Sequence, residues 1–195
     1  AYSDEDWVLK DVSFSVAAGE KVAIVGATGA GKTSLMSLLY RFYDYQKGSI
    51  KIDGIDIKDY SIKALRSHMG LVLQDVFIFS GDYAQNVRLR DSRISDRQVD
   101  QALARVGFDR FMKNQSQGIH TEVKERGATL STGQKQLLSF ARALAFNPDI
   151  LVLDEATSSV DTRTEVLIQD AMNDLMKGRT SFVIAHRLST IRKAD

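Results

Sequence analysis

Cysteine is absent from the 195-residue chain, so neither a disulfide framework nor a thiolate metal site is available to it. No stretch approaches the roughly 18 consecutive apolar residues of a membrane-crossing helix, and the opening AYSDEDW is not a secretory leader. Excess charge of either sign is missing as well. Lys and Arg number 26 against 25 Asp and Glu, a net charge of +1, which gives no support to a nucleic-acid partner. Repeats, linkers and low-complexity tracts are also lacking. What remains is the composition of one soluble globular domain, 44% hydrophobic and 26% charged, long enough to bury a core. The chain starts at Ala1 and stops at TIRKAD inside a helix-like pattern, the ends expected of an excised piece, with truncation at the C-terminus and at the N-terminus.

Hydrophobic periodicity predicts a largely parallel α/β arrangement. VLKDVSFSV places Val12, Phe14 and Val16 on alternate positions, as in a half-buried strand, and KVAIV after Gly19 reads as a second. SLMSLLYRF puts Leu35, Leu38, Leu39 and Phe42 on one helical face. Asp53-Gly54 centres a hairpin in GSIKIDGIDI. Ser95-x-x-Gln98 and Ser131-x-x-Gln134 have capping-box spacing at the starts of two helices. ILVLD and TSFVIA are continuous apolar runs typical of buried parallel strands. Between them, TRTEVLIQDAMNDLM is amphipathic, with Val166, Ile168, Ala171, Met172 and Leu175 as its expected buried set and Gly178 ending it. Apolar strands alternating with helices imply a mainly parallel sheet, with an added antiparallel part in the hairpin-rich first 60 residues.

The chemistry is concentrated in GATGAGKT. Gly26, Ala27, Thr28, Gly29, Ala30, Gly31, Lys32 and Thr33 match G-x-x-x-x-G-K-[ST] in full, after a buried strand and before a helix that Ser34 continues. Glycines let such a loop curl until its N–H groups point at phosphate oxygens. Lys32 adds positive charge toward the β and γ phosphates, and the Thr33 hydroxyl can ligate Mg²⁺. A nucleotide site of this kind needs a carboxylate for the metal at the end of a neighbouring strand. ILVLDE supplies Asp154 there, with Glu155 next to it to polarise an attacking water. The guanine-reading N-K-x-D of a GTPase is missing, and so is an Arg-rich kinase lid. Neither family accounts for the second helix start, Ser131 to Gln134, where a glycine sits in the first turn although glycine is a poor helix former.

Taken together, the phosphate loop, LSTGQ, ILVLDEATSSVD and VIAHRLST resemble the nucleotide-binding domain of an ABC transporter, in order and in spacing, over nearly the whole chain. The resemblance is greatest to exporter-type members, especially subunits of heterodimeric bacterial multidrug exporters. It implies a P-loop NTPase core with a mainly parallel sheet, an antiparallel β subdomain, and a helical subdomain at about 78–145 inserted in the core. It further implies a single domain over 1–195 that binds ATP and Mg²⁺ and pairs head to tail with a second such domain. Each ATP then lies between one P-loop and the partner's signature helix, so that Ser131, Gly133 and Gln134 serve the neighbour's nucleotide. Tyr2 falls at the adenine-stacking aromatic, and Gln74 at the glutamine that reaches Mg²⁺ and the attacking water. His186 matches the histidine that touches the γ-phosphate and supports Glu155. Asp161 belongs to the loop that crosses to the partner. TEVKERG resembles the segment that communicates with the coupling helices of a transmembrane domain, with Lys124 where glycine is usual. The location implied is the cytoplasmic face of the cell membrane, within an integral membrane transporter.

Thr132 departs from the family's common L-S-G-G-Q. A β-branched residue there removes backbone freedom and adds bulk beside a phosphate. In one reading Thr132 points away and a homodimer closes normally; in the other, which the resemblance favours, this signature caps the weak site of a heterodimer. Two rival readings are a non-transport ABC ATPase acting on DNA or ribosomes, and a dimerisation module that binds ATP without hydrolysing it. The first calls for a coiled-coil insertion or tandem domains; this stretch shows neither, although truncation could hide a second domain. The second calls for loss of Glu155 or His186, and both are present.

Overall fold

A four-stranded parallel sheet in the order β1-β8-β7-β4 forms the centre of the computed structural model, which describes residues 7–154 and 160–184. Its strands are β1 (Lys21–Ile24), β4 (Met69–Val72), β7 (Ile150–Asp154) and β8 (Thr180–Ile184). The two inner strands, ILVLD and TSFVI, are largely apolar because both faces of the sheet are covered. Alternate residues divide between two cores. Leu151, Leu153 and Val183 enter the larger one, whereas Val152, Phe182 and Ile184 enter the smaller. Helix α1 (Lys32–Leu39) and helix α2 (Ile62–Ser67) fill the smaller core with Met36, Tyr40 and Leu65. The larger core is filled from α3 (Tyr83–Arg88), α4 (Asp96–Arg105), α5 (Asp109–Met112), α6 (Thr132–Phe146) and α7 (Thr162–Met176). Helices α3 to α6 all fall between β4 and β7 in the chain, together with an antiparallel pair, β5 (Gly81–Asp82) and β6 (Glu122–Val123). The fold is α/β, with a mainly parallel sheet, antiparallel additions and helices.

Local sequence accounts for most of the boundaries. Asp53 and Gly54 both take positive φ, 50° and 80°, the torsions of a type I′ turn, and join β2 (Lys51–Ile52) to β3 (Ile55–Asp56) as a hairpin. Capping boxes close the starts of α4 through Ser95 and Gln98 and of α6 through Ser131 and Gln134. Helix α6 ends at Asn147 in the left-handed conformation, ahead of Pro148, which cannot continue a helix. Among the described residues, no helix is long and apolar enough to cross a membrane.

Three local expectations are corrected. VLKDVSFSV is not a strand: Val12 and Phe14 are exposed, Asp11 takes positive φ, and only Val16 reaches the smaller core. An alternating pattern becomes a strand only where its N–H and C=O groups find a partner, and the β2–β3 hairpin pairs with itself. The first 60 residues therefore hold one antiparallel hairpin among those described. In α1 the buried residues are Met36 and Tyr40 rather than a face that includes Phe42, because the helix stops at Leu39 and Arg41 turns left-handed, leaving Phe42 outside the helical repeat and exposed. In α7 the buried set is Thr164, Ile168, Ala171, Met172, Leu175 and Met176, while Val166 is 56% exposed. Two residues from Ile168 is about 200° around the helix, on the solvent side.

Candidate nucleotide site

The site forms along the carboxyl edge of the sheet, where open α/β folds hold their ligands. Register places Ile24, Ile184 and Asp154 side by side on three adjacent strands. Asp154 therefore stands two strand spacings, about 10 Å, from the point where β1 runs into the glycine-rich loop. Val72 pairs with Leu153, so Gln74 emerges two residues beyond β4 at the same edge, exposed. Residues 25–30 of the loop are exposed, and a turn closes it through the Ala30 N–H and the Ala27 carbonyl at 3.1 Å.

Helix α1 differs from its neighbours in how it begins. The other described α-helices of eight residues or more have a side-chain N-cap: Ser95 for α4, Ser131 for α6 and Asp161 for α7. Helix α1 starts at Gly31, in the left-handed region at φ 88°, with no side-chain cap and no acid in its first turn. Its positive dipole end thus carries neither a side-chain cap on its N-cap residue nor an acid within its own first turn, the arrangement that suits a bound phosphate. A Cβ on Gly31 would also meet Leu9 Cδ2 at 2.7 Å, so the torsion and the packing both require glycine. The Lys32 ammonium donates to the carbonyls of Gly26 and Ala27 at 2.7 and 2.9 Å, which folds the loop around the charge that a phosphate would meet. Thr33 is exposed beside it and Ser34 is half-buried.

These residues fit a nucleotide phosphate with Mg²⁺. Among the described residues no group of three His, Cys, Asp or Glu gathers into a metal cage. A hydroxyl from Thr33 and a carboxylate from Asp154 instead suit an ion that keeps its waters and takes phosphate oxygens as ligands. Tyr2, Glu155 and His186 lie outside the described residues.

The second helix start sits apart, since α1 packs into the smaller core and α6 into the larger. The Ser131 N–H donates to Gln134 Oε1 at 2.9 Å and the Gln134 N–H to Ser131 Oγ at 3.2 Å, which leaves the Ser131 hydroxyl free to donate outward. Thr132 is the first helical residue, exposed and without positive φ. The torsions at 132 are ones that any residue adopts, so the fold itself does not demand glycine there. Gly133 is buried, and a Cβ there would lie 2.3 Å from Thr164 Cγ2 and 3.0 Å from Val160 Cγ1. Packing within the chain thus accounts for a glycine that capping alone leaves unexplained. Asp161 caps α7 by accepting from the Thr164 N–H at 3.1 Å. The bond from the Thr164 side chain, with backbone donors, holds its carboxyl below the usual range.

Sequence reasoning missed two residues that shape the edge. Asn86 is 0% exposed; it accepts from the Phe79 N–H at 2.9 Å and donates to the carbonyls of Phe79 and Asp82 at 2.9 and 3.0 Å. Arg142 donates to the carbonyls of Asn86 at 2.9 Å and Phe77 at 3.3 Å, and burial pushes its guanidinium below its usual range. Together they brace the segment after Gln74, whose Phe77 and Phe79 rings pack edge to face at 4.9 Å and are half exposed. Lys124 has ordinary extended torsions, so no glycine is required there.

The ABC transporter family pattern matches residues 9–158. Along its whole length the chain is 54% identical to the probable multidrug resistance ABC transporter ATP-binding/permease protein YheH of Bacillus subtilis, covering 29% of that protein. It is 48% identical to the fatty acid ABC transporter ATP-binding/permease protein of Mycobacterium bovis, covering 31%. A solved structure of a bacterial Atm1-family ABC exporter with ATP bound superposes with a TM-score of 0.88 at 44% identity, over 98% of this chain and 34% of that one. The chain spans about a third of the length of these relatives.

Proposed function

The chain belongs to the ABC transporter family, and we propose that it is the ATP-hydrolysing domain of an exporter whose membrane helices lie outside it. The observation that carries the reading is the uncapped start of α1, set at the same sheet edge as Asp154. The reaction is in-line attack of water on the γ-phosphorus, with ADP as the leaving group and inorganic phosphate as the product. Glu155 takes the proton of the attacking water, with His186 supporting it. Lys32 and the N–H groups of the loop from Gly26 to Thr33 hold the β and γ oxygens and stabilise the charge that develops on them. Thr33, Asp154 and Gln74 would hold Mg²⁺, which would supply positive charge against the phosphate oxygens. Tyr2 stacks on adenine. Ser131, Gly133 and Gln134 cap the nucleotide of a second ABC domain, with Asp161 crossing to it.

In this reading the stretch 78–145 is the helical subdomain. The braced aromatic pair at its start, Phe77 and Phe79, meets the coupling helices of the transmembrane domain on the cytoplasmic face of the membrane. Permease fusions among the relatives support a transport role over a DNA or ribosome ATPase. Retention of Lys32, Asp154, Glu155 and His186 supports turnover over a dimerisation module. A heterodimer remains the preferred assembly, with Thr132 at the slower of its two sites.

Sedimentation of the whole domain carrying Glu155→Gln, with and without Mg-ATP, tests this. A dimer that appears with ATP shows closure of the chain on itself. Tight ATP binding without pairing assigns it a different partner with an intact signature. Failure to bind ATP at all overturns the reading.

A further inference from the structure

We infer that Thr164 is a positioning residue for the signature helix, and that Gly133 is glycine to accommodate its methyl group. Gly133 has helical torsions, so it gains nothing from glycine's freedom, and in a helix glycine is less favourable than alanine by about 1 kcal/mol. The compensation is a close approach of two helix starts. A Cβ at 133 would stand 2.3 Å from Thr164 Cγ2, 3.4 Å from Thr164 Cβ and 3.0 Å from Val160 Cγ1. Thr164 cannot readily yield, because it is buried, β-branched, and tied by its side chain and its N–H to Asp161. Its methyl is thereby aimed at α6 and sets the separation of the first turns of α6 and α7.

The consequence rests on the function proposed above. Helix α6 begins at Ser131, the group that would cap the partner's nucleotide, while α7 follows β7 and Asp154, which serve the chain's own nucleotide. The contact of Thr164 with Gly133 ties these two half-sites into one rigid unit, so a displacement of the Asp161 turn moves Ser131 with it. Thr132, one residue away and exposed, stands outside that contact.

The experiment compares four full-length proteins: wild type, Gly133→Ala, Thr164→Ser and the double variant. Serine removes the methyl and keeps the hydroxyl bond to Asp161. Overpacking should lower the melting temperature of Gly133→Ala by about 3–10 °C, and displacement of Ser131 should lower kcat by roughly 100-fold. Nucleotide binding at the Lys32 site should persist. The double variant should regain most of both losses. Additive melting shifts would overturn the proposal, as would recovery of melting without recovery of kcat, which would show that the glycine is there for the nucleotide. If Gly133→Ala does not fold, the double variant must, or the proposal is wrong. A wild type without turnover would defeat the ATPase reading alone, since the melting cycle would still decide the contact.

Discussion

Replacing Asn86 by alanine should destabilise the domain far more than an ordinary polar-to-alanine change. The amide is wholly buried and makes three hydrogen bonds to main chain: from Phe79 N–H, and to the carbonyls of Phe79 and Asp82. Each bond contributes about 1 kcal/mol net, and each buried partner left unpaired costs about 1–3 kcal/mol. Water reaches some of these groups once the side chain is gone, so the sum is roughly 3–5 kcal/mol, a large share of the 5–15 kcal/mol typical of a whole domain. At about 2–4 °C per kcal/mol for this size, the melting temperature should fall by roughly 10 °C. The loss has a place as well as a size. Arg142 holds the Asn86 carbonyl and the Phe77 carbonyl from the other side, so the loosened stretch should be the one bearing Phe77 and Phe79. Hydrogen exchange of the Phe79 amide, followed alongside thermal melting, reads both. A fall of under about 3 °C with unchanged protection at Phe79 would refute the argument, because it would mean that the buried amide is not what orders the segment.

Lys32→Ala should weaken ATP binding by roughly 30- to 1000-fold, the loss of one or two charge-assisted bonds. Titration with a fluorescent ATP analogue measures this, and stability should change little, since its present acceptors Gly26 and Ala27 lie in an exposed loop. His120 should make the domain more stable on the acid side of neutrality. Its ring faces Asp82 at 3.0 Å and Asp96 at 3.4 Å, with Arg88 paired to Asp96, and the bond to Asp82 raises its pKa above the ordinary histidine value. A raised histidine contributes fully below its unfolded pKa and loses that contribution as pH rises through the folded one. Wild-type melting should therefore fall more between about pH 6 and pH 8.5 than that of His120→Gln, and parallel curves would remove the effect.

The sequence made most of the site edge legible because its signals are local. Capping boxes at Ser95 and Ser131, the turn at Asp53-Gly54, and the apolar runs of β7 and β8 each depend on neighbours in the chain. What stayed hidden depends on distant partners. Val12 and Phe14 alternate like a strand, yet among the described residues no strand pairs with them. Arg142 is 56 residues from the Asn86 carbonyl it braces, and no spacing rule announces that. Gly133 is the instructive case. The sequence points to a phosphate at this position, and a side chain 31 positions later adds a packing reason for glycine that no local spacing announces.

That result changes what Thr132 means. A signature read as S-G-G-Q suggests two glycines doing one job beside a nucleotide, so loss of the first looks like damage to a pair. The two positions are not equivalent in this chain. Gly133 is buried against Thr164, whereas Thr132 is exposed at the first helical position with no unusual torsion. Threonine there costs the folded domain nothing in helix propensity relative to glycine, which is the poorer helix former. In the proposed head-to-tail dimer, any penalty would arise when a partner's nucleotide approaches, from the volume of one methyl and one hydroxyl, and would fall on the partner's site rather than on this chain's own P-loop. The substitution is thus one that a heterodimer can carry at a single site without cost to its fold. A homodimer would meet it at both sites at once.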